Sequence, residues 1–181
     1  MPKPDLARIT GKLARSQADF LCTADAVPCE LWQTRPPDGG WSPAEIVAHL
    51  CQVERGVLGT ADRIIRHPPR PVPFLKRFHV PLRIVEARVI RRESPIPLDP
   101  ELLDGKEPML ANLRSVRERT LAFLEETSAR DLSAYYWPHP FLGMLNSYRW
   151  FEMIASHQIR HVKQMQRISH GLPKDVVSSQ K

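Results

Sequence analysis

The placement of proline constrains the fold more than any other feature of this chain. Eight of the 18 prolines lie between residues 67 and 100. A proline inside a helix removes a backbone hydrogen bond, and its ring clashes with the preceding turn. One long helix through this stretch is therefore excluded. We expect an irregular connection at 67–107 that contains one short helix at about 82–92.

Four segments outside this connection repeat apolar residues at helical spacing, which predicts amphipathic helices. The predicted helices span 5–24, 43–66, 108–128 and about 147–170. No segment has the alternation typical of a strand. Helices of this kind must each cover an apolar face, so the expected fold is all-α: a four-helix bundle with a long proline-rich crossover between helices 2 and 3. The length suits a single domain that spans 1–181.

The boundaries of the second and fourth helices have local signals. Ser42 suits the N-cap, Pro43 suits the first helical position, and Glu45 completes a capping box. Asn146 or Ser147 can cap the fourth helix. Gly171 and Pro173 predict where that helix ends.

Three cysteines and the absence of long apolar runs indicate the compartment. Cys22, Cys29 and Cys51 are odd in number and form no Cys-x-x-Cys pair, which favours reduced thiols, with Cys51 a core thiol. No run of about 18 apolar residues exists, and the N-terminus has no apolar signal core. We therefore expect a cytoplasmic protein without a membrane span.

The excess of positive charge is concentrated in one stretch. The net charge is +6, and residues 60–92 contain nine lysines and arginines against two acidic residues. One interpretation is a surface that binds an anionic partner. The interpretation we favour is a solvated, partly salt-bridged face. No nucleic-acid-binding motif is present, so we do not expect a nucleic-acid partner.

Three histidines fall among the apolar residues of predicted helices. His157 and His161 lie one helical turn apart, which places their Cβ atoms about 5–6 Å from each other. His49 lies on the apolar stripe of the second helix. Buried imidazoles need partners, and metal sites in helix bundles are built from such facing side chains. Two interpretations stay open on the pattern alone: three hydrogen-bonded core histidines, or one shared metal ion.

As metal ligands, three neutral imidazoles suit zinc, nickel, copper or iron, and we expect Zn²⁺, Ni²⁺ or Fe²⁺. Three protein ligands leave a coordination position open, which is the catalytic pattern. Gln158 stands where His-Glu-x-x-His peptidases place their general base, so that mechanism is unsupported. Glu45 is better explained by the capping box than by acid–base chemistry. Gln164 is a candidate for a contact behind His161 or with substrate.

The remaining polar candidates have structural interpretations. We expect Glu54 and Glu152 to be solvated or paired on the flanks of their helices. His139 lies in an aromatic, proline-containing loop, where we expect it to order the start of the fourth helix and not to bind metal. Trp41 is expected to be a packing anchor before the second helix.

Two motifs resemble one known family. Trp41-Ser-Pro-Ala-Glu-Ile-Val-Ala-His49-Leu is similar to the second-helix motif of the DinB-like (damage-inducible) metalloenzyme superfamily. His139-Pro-Phe-Leu-Gly143-Met-Leu, followed by His157-x-x-x-His161, resembles its C-terminal motif. The resemblance implies a four-helix bundle in which His49, His157 and His161 hold one metal ion. The superfamily includes bacillithiol transferases and mycothiol-dependent maleylpyruvate isomerases.

Two functions follow as hypotheses. The first is a metal-dependent enzyme, a thiol S-transferase or a hydrolase, that acts on a small-molecule substrate such as a low-molecular-weight thiol. The second is a non-catalytic, stress-linked helical module that contacts an anionic partner through the basic 60–92 segment. A homodimer is compatible with either, although no face of the predicted bundle is singled out. The sequence identifies no catalytic acid or base.

Overall fold

A computed structural model describes residues 5–37, 39–73, 81, 82, 85, 97, 98 and 102–169. The described part is mostly helical, with four long helices and one small sheet. The short helix expected at 82–92, most of the proline-rich crossover, and the helix stop at Gly171 and Pro173 lie outside the described residues, apart from isolated positions.

The four predicted helices are confirmed to within two residues at each described boundary. They are α1 (Leu6–Asp25), α2 (Pro43–Ile64), α3 (Lys106–Glu126) and α4 (Ser147–Ser169), and a 3-10 turn at Cys29–Leu31 follows α1. None of these helices is long and apolar enough to cross a membrane.

The helix starts follow from local hydrogen bonds. Asn146 caps α4, because its Oδ1 accepts a hydrogen bond from Arg149 N at 2.9 Å. α3 begins two residues before the expected Pro108, since Gly105 takes the N-cap position. Pro108 then lies in the first turn, where a backbone N–H has no acceptor within the helix and its loss is harmless.

The prediction that no strand forms is wrong at residues 136–146. Strands β1 (Tyr136–His139) and β2 (Gly143–Asn146) form an antiparallel hairpin, in which Tyr136 pairs with Asn146. Tertiary packing of aromatic residues, which local pattern does not reveal, stabilises the hairpin. The Trp137 ring stacks on Trp150 of α4 at 5.1 Å, and Trp150 Nε1 donates to Trp137 O at 3.2 Å.

Each long helix packs against two others. α1 packs most extensively on α4, and α2 on α3, with smaller contacts between α2 and α4 and between α1 and α3. The apolar core consists of two clusters, one around Phe151 and Leu13 and one around Phe20 and Leu113. Each helix has buried polar residues between these clusters, and they form a polar layer that crosses the core.

Candidate metal centre

His49 owes its position to the start of α2. Ser42 Oγ accepts a hydrogen bond from Glu45 N at 3.2 Å, and Glu45 Oε2 accepts one from Ser42 N at 2.8 Å. The predicted capping box is therefore present, with Pro43 as the first helical residue. The fixed helix start directs His49 inward, and only 6% of this residue is exposed.

The three predicted histidines come together in space. His157 Nε2 lies 3.2 Å from His49 Nε2 and 3.2 Å from His161 Nε2. One ring nitrogen from each histidine lies within 4.8 Å of the other two. Helices α2 and α4 thus bring together side chains that are separated by more than 100 residues in the sequence.

The spacing of these nitrogens fits a single small metal ion. Zinc binds imidazole nitrogen at about 2.0–2.1 Å, and two such ligands on a tetrahedral ion lie about 3.3 Å apart. Both closest Nε2–Nε2 distances agree with that separation. The three histidines therefore lie close enough to bind one divalent ion.

Gln164 determines which ring nitrogen of His161 is protonated and which one presents its lone pair to the cluster. His161 Nδ1 lies 3.0 Å from Gln164 Oε1, which can only accept a hydrogen bond. Nδ1 therefore carries the proton, and Nε2 presents its lone pair to the other histidines. Metal-bound histidines are commonly held in this way, with the second ring nitrogen donating to an oxygen. The predicted contact of Gln164 behind His161 is confirmed.

The surroundings keep the three imidazoles neutral. Burial lowers the pKa of His49 to about 4 and that of His161 to about 3, and it lowers the pKa of His157 well below its ordinary value. The positive charge of Arg160 lowers all three further. Neutral imidazole is the form that binds metal, so the cluster is ready to bind metal at neutral pH.

One wall of the site is aromatic. The Trp41 ring lies parallel to His161 at 6.3 Å and edge-on to His49 at 4.7 Å. Trp41 is partly exposed. It therefore packs before α2, as predicted, and also lines the metal centre, which the sequence analysis did not foresee.

His139 is a structural residue and not part of the cluster. Its Nδ1 accepts hydrogen bonds from Phe141 N at 3.1 Å and Leu142 N at 3.3 Å, which stabilises the turn of the hairpin. Its ring also packs on Trp150 of α4, with ring centroids 5.0 Å apart. The prediction that His139 orders the start of the fourth helix agrees with these contacts.

Gln158 faces away from the histidines and into the polar layer between the two apolar clusters. Its Oε1 accepts hydrogen bonds from Arg117 Nη2 at 2.9 Å and Ser16 Oγ at 3.0 Å. The Arg117 guanidinium also donates to both carboxylate oxygens of Glu54, at 2.7 and 2.9 Å, and to Leu13 O. All four long helices contribute to this layer, which the sequence analysis missed.

The predicted positions of two glutamates need correction. Glu54 and Glu152 are paired, but they are buried and do not lie on solvated flanks. Glu54 pairs with Arg117 in the core, and Glu152 pairs with Arg8 and with Arg149 at 2.7 Å. Helical spacing could not reveal the pairs Glu54–Arg117 and Arg8–Glu152, because the two residues of each pair lie far apart in the sequence.

The other predicted side chains match their structural interpretations. Glu45 bonds to Ser42 and Arg35, which occupies the carboxylate and lowers its pKa against the opposing effect of burial. Cys51 is buried, and burial raises the pKa of its thiol to about 12, so it is an inert core residue. Cys22 and Cys29 are free thiols.

Comparison with known proteins identifies the family. The chain is similar to the uncharacterized protein YuaE of Bacillus subtilis (strain 168), with 26% identity over 140 residues that cover 76% of this chain and 83% of the relative. No solved structure matches the chain. A family model described as the DinB superfamily matches residues 12–165. This match covers most of the sequence, including His49, His157 and His161, and the chain therefore belongs to the DinB superfamily.

Proposed function

We propose that His49, His157 and His161 bind one divalent metal ion and that the protein is a metal-dependent thiol S-transferase. The convergence of three neutral imidazoles carries this proposal, because His157 Nε2 lies 3.2 Å from the Nε2 atoms of both His49 and His161, the separation of two ligands on one ion. The proposal includes the four-helix bundle as the scaffold, since two of its helices supply the ligands.

The chain's own residues would hold and enclose the ion. Three protein ligands leave a coordination position for a further molecule. When bound, the ion supplies Lewis-acid chemistry, which favours the ionised form of a water or thiol. Gln164 keeps the His161 lone pair directed at the ion, and Trp41 covers one side of the site.

The candidate bases around the site favour a thiol over water as the nucleophile. Gln158 is an amide and cannot act as a base, and the Glu45 carboxylate bonds to Ser42 and Arg35, so neither supplies a general base. A thiol has an ordinary pKa of about 8.5, so it ionises with much less help than water. This favours thiol transfer over hydrolysis for a site that relies on the metal.

Metal analysis and a transfer assay test the proposal. The wild-type protein, expressed with Zn²⁺, Ni²⁺ or Fe²⁺, should bind one ion per chain, and His157→Ala should bind none. His67→Ala, which removes an exposed histidine, is the matched control and should retain the ion. The loaded protein should accelerate attack of small thiols on 1-chloro-2,4-dinitrobenzene, forming a C–S bond and releasing chloride and a proton.

The outcomes separate the two parts of the proposal. A protein without stoichiometric metal would overturn both parts. A metal-loaded protein that hydrolyses esters but transfers no thiol would keep the metal centre and replace the transferase with a hydrolase.

The alternative of a non-catalytic module stays a prediction, because six of the nine basic residues of the 60–92 segment lie outside the described residues. Arg66 in that segment pairs with Asp62 at 2.7 Å, an exposed ion pair that agrees with a solvated face. Salt-dependent binding to a polyanion, lost on charge reversal at Arg88 and Arg91, would favour this alternative. The single domain, the cytoplasmic location and the homodimer also stay predictions.

A further inference from the structure

Of the four tryptophans, all of which the structure describes, Trp41 alone combines exposure to solvent with contact to the candidate metal ligands. Trp32 and Trp150 are buried. Trp137 stacks on Trp150 and accepts its indole hydrogen bond. These three tryptophans therefore serve packing, whereas packing does not account for the exposed part of Trp41.

Water reaches the indole ring of Trp41. Its Nε1 makes no hydrogen bond to the described residues, and it is not one of their buried polar atoms that lack a partner. An Nε1 that is neither bonded nor buried must be exposed. A small molecule can therefore contact the ring of Trp41 without first displacing a protein partner from its N–H.

The backbone that carries Trp41 is held in place by the start of α2. Trp41 directly precedes Ser42, the N-cap residue, which exchanges the two hydrogen bonds of the capping box with Glu45. Ala44 N also donates to Trp32 O at 2.9 Å. A side chain on a fixed backbone loses less conformational freedom when a ligand packs on it, so less of the binding free energy is lost to ordering.

The ring of Trp41 lies beside the histidine cluster. Its centroid is 4.7 Å from that of His49 and 6.3 Å from that of His161. A side chain that contacts two of the three candidate ligands also lies beside a molecule held at their shared site. Aromatic rings prefer offset-stacked or edge-to-face contacts with other aromatic rings. Trp41 can therefore distinguish a flat aromatic group from an aliphatic group of similar size.

We propose that Trp41 determines the substrate specificity of this site by stacking on an aromatic ring of the small thiol. This inference rests on the proposed function and narrows its thiol substrate to one with a flat aromatic group close to the sulfur. With the thiol end directed at the three histidines, the ring packs on the exposed part of the indole. An aliphatic thiol of similar size would cover a similar apolar area but would not gain the aromatic contact.

Two thiols with the same carbon skeleton test this proposal. Phenylmethanethiol carries an aromatic ring where cyclohexylmethanethiol carries a saturated one. Each is titrated into the full-length, Co²⁺-loaded protein, and binding is followed by the sulfur-to-cobalt charge-transfer absorption. The ratio of the two Kd values measures the preference for the aromatic thiol. Comparing this ratio between protein variants cancels the difference in acidity between the two thiols.

Substitutions assign the preference to one side chain. Trp41→Leu should lower the preference for phenylmethanethiol by about two- to tenfold, because leucine is apolar but cannot stack. Trp41→Phe should keep most of the preference, since it retains an aromatic ring. Phe141→Leu removes another exposed aromatic ring, from the hairpin, and should leave the preference unchanged.

Nuclear magnetic resonance of the bound thiol is a check that needs no variant. In the full-length, Zn²⁺-loaded wild type, the ring protons of phenylmethanethiol should shift upfield on binding, because they lie over the face of the indole. Absence of this shift would overturn the inference, even where Trp41→Leu fails to bind cobalt.

The remaining outcomes separate this inference from the proposed function. An unchanged ratio in Trp41→Leu, or an equal fall in Phe141→Leu, would overturn the inference and leave the metal centre and the transferase in place. Failure of the wild type to bind Co²⁺ would overturn the proposed function and, with it, this inference.

Discussion

The polar layer around Arg117 and the three-histidine cluster lie in the same helical core. They differ in which groups pair with their polar atoms. In the polar layer, the Arg117 guanidinium donates to Glu54, Gln158 and Leu13 O, so its charge is balanced within the chain, while the buried Gln158 Nε2 has no hydrogen-bond acceptor. At the metal centre, three neutral imidazoles direct nitrogens at one another, and no carboxylate belongs to the cluster found among the described residues. The charge of the polar layer is balanced by residues of the chain, whereas the three histidines lie close enough to bind one metal ion that the chain itself does not supply.

The largest effect on stability is expected when the polar layer loses the positive charge of Arg117. Arg117→Met should lower the free energy of unfolding by about 3–5 kcal/mol, because Glu54 is left buried without its partner. Denaturant titration measures this value. Arg66→Met is the control, since it breaks an exposed pair with Asp62 and should cost less than about 1 kcal/mol. Equal costs for the two variants would show that the polar layer does not stabilise the fold.

The increase in stability on adding metal should depend on the three histidines and not on Arg117. Zinc at a free concentration 100 times its Kd should raise the free energy of unfolding of the wild type by about 2.7 kcal/mol. Arg117→Met should keep this increment, because its ligands are intact. His49→Gln should lose it. An increment that disappears in both variants would mean that the two clusters are coupled.

A smaller effect on affinity is expected from the residue that orients one ligand. Gln164→Leu should weaken metal binding by about 10–100-fold, because His161 Nδ1 loses its acceptor. Competition with a chelator of known affinity measures the change. Gln166→Leu, at an exposed position two residues further on, is the matched control. Unchanged affinity in Gln164→Leu would show that packing alone orients the His161 ring.

The smallest effect concerns His139, which lies outside both clusters. Burial lowers its pKa to about 4. Between pH 6.5 and 4, the unfolded chain binds a proton at this residue and the folded chain does not, so stability falls as pH falls. His139→Asn keeps a hydrogen-bond acceptor but cannot titrate, and it should make this pH dependence shallower by at most one proton. Urea unfolding of the metal-free protein across that range measures the slope, with the exposed His67→Asn as control.

Local signals predicted much of this structure. The helices were predictable from apolar spacing, and the start of α2 from Ser42, Pro43 and Glu45, because these patterns act over a few residues. The three histidines could be nominated because each lies on an apolar stripe, and their convergence then followed from helix packing.

The unpredicted features depend on contacts between distant residues. The hairpin at 136–146 contains Pro138 and Pro140 and gains stability from stacking on Trp150 of α4. The ion pair between Glu54 and Arg117 joins residues 63 positions apart, and each looks like an ordinary surface charge in the sequence. Nothing local distinguishes such residues until the helices are packed.

The orientation of Gln158 limits how this protein can be redesigned. Replacing Gln158 with glutamate would recreate the His-Glu-x-x-His pattern in the sequence. The new carboxylate would nevertheless lie beside Glu54 and compete for the same Arg117 guanidinium, as the present contacts of Gln158 show. The variant would have the His-Glu-x-x-His pattern, but its glutamate could not act as a general base at the histidines. The core would also gain an unbalanced negative charge. A general base for this centre would have to be introduced from another element, such as the partly exposed Trp41 position.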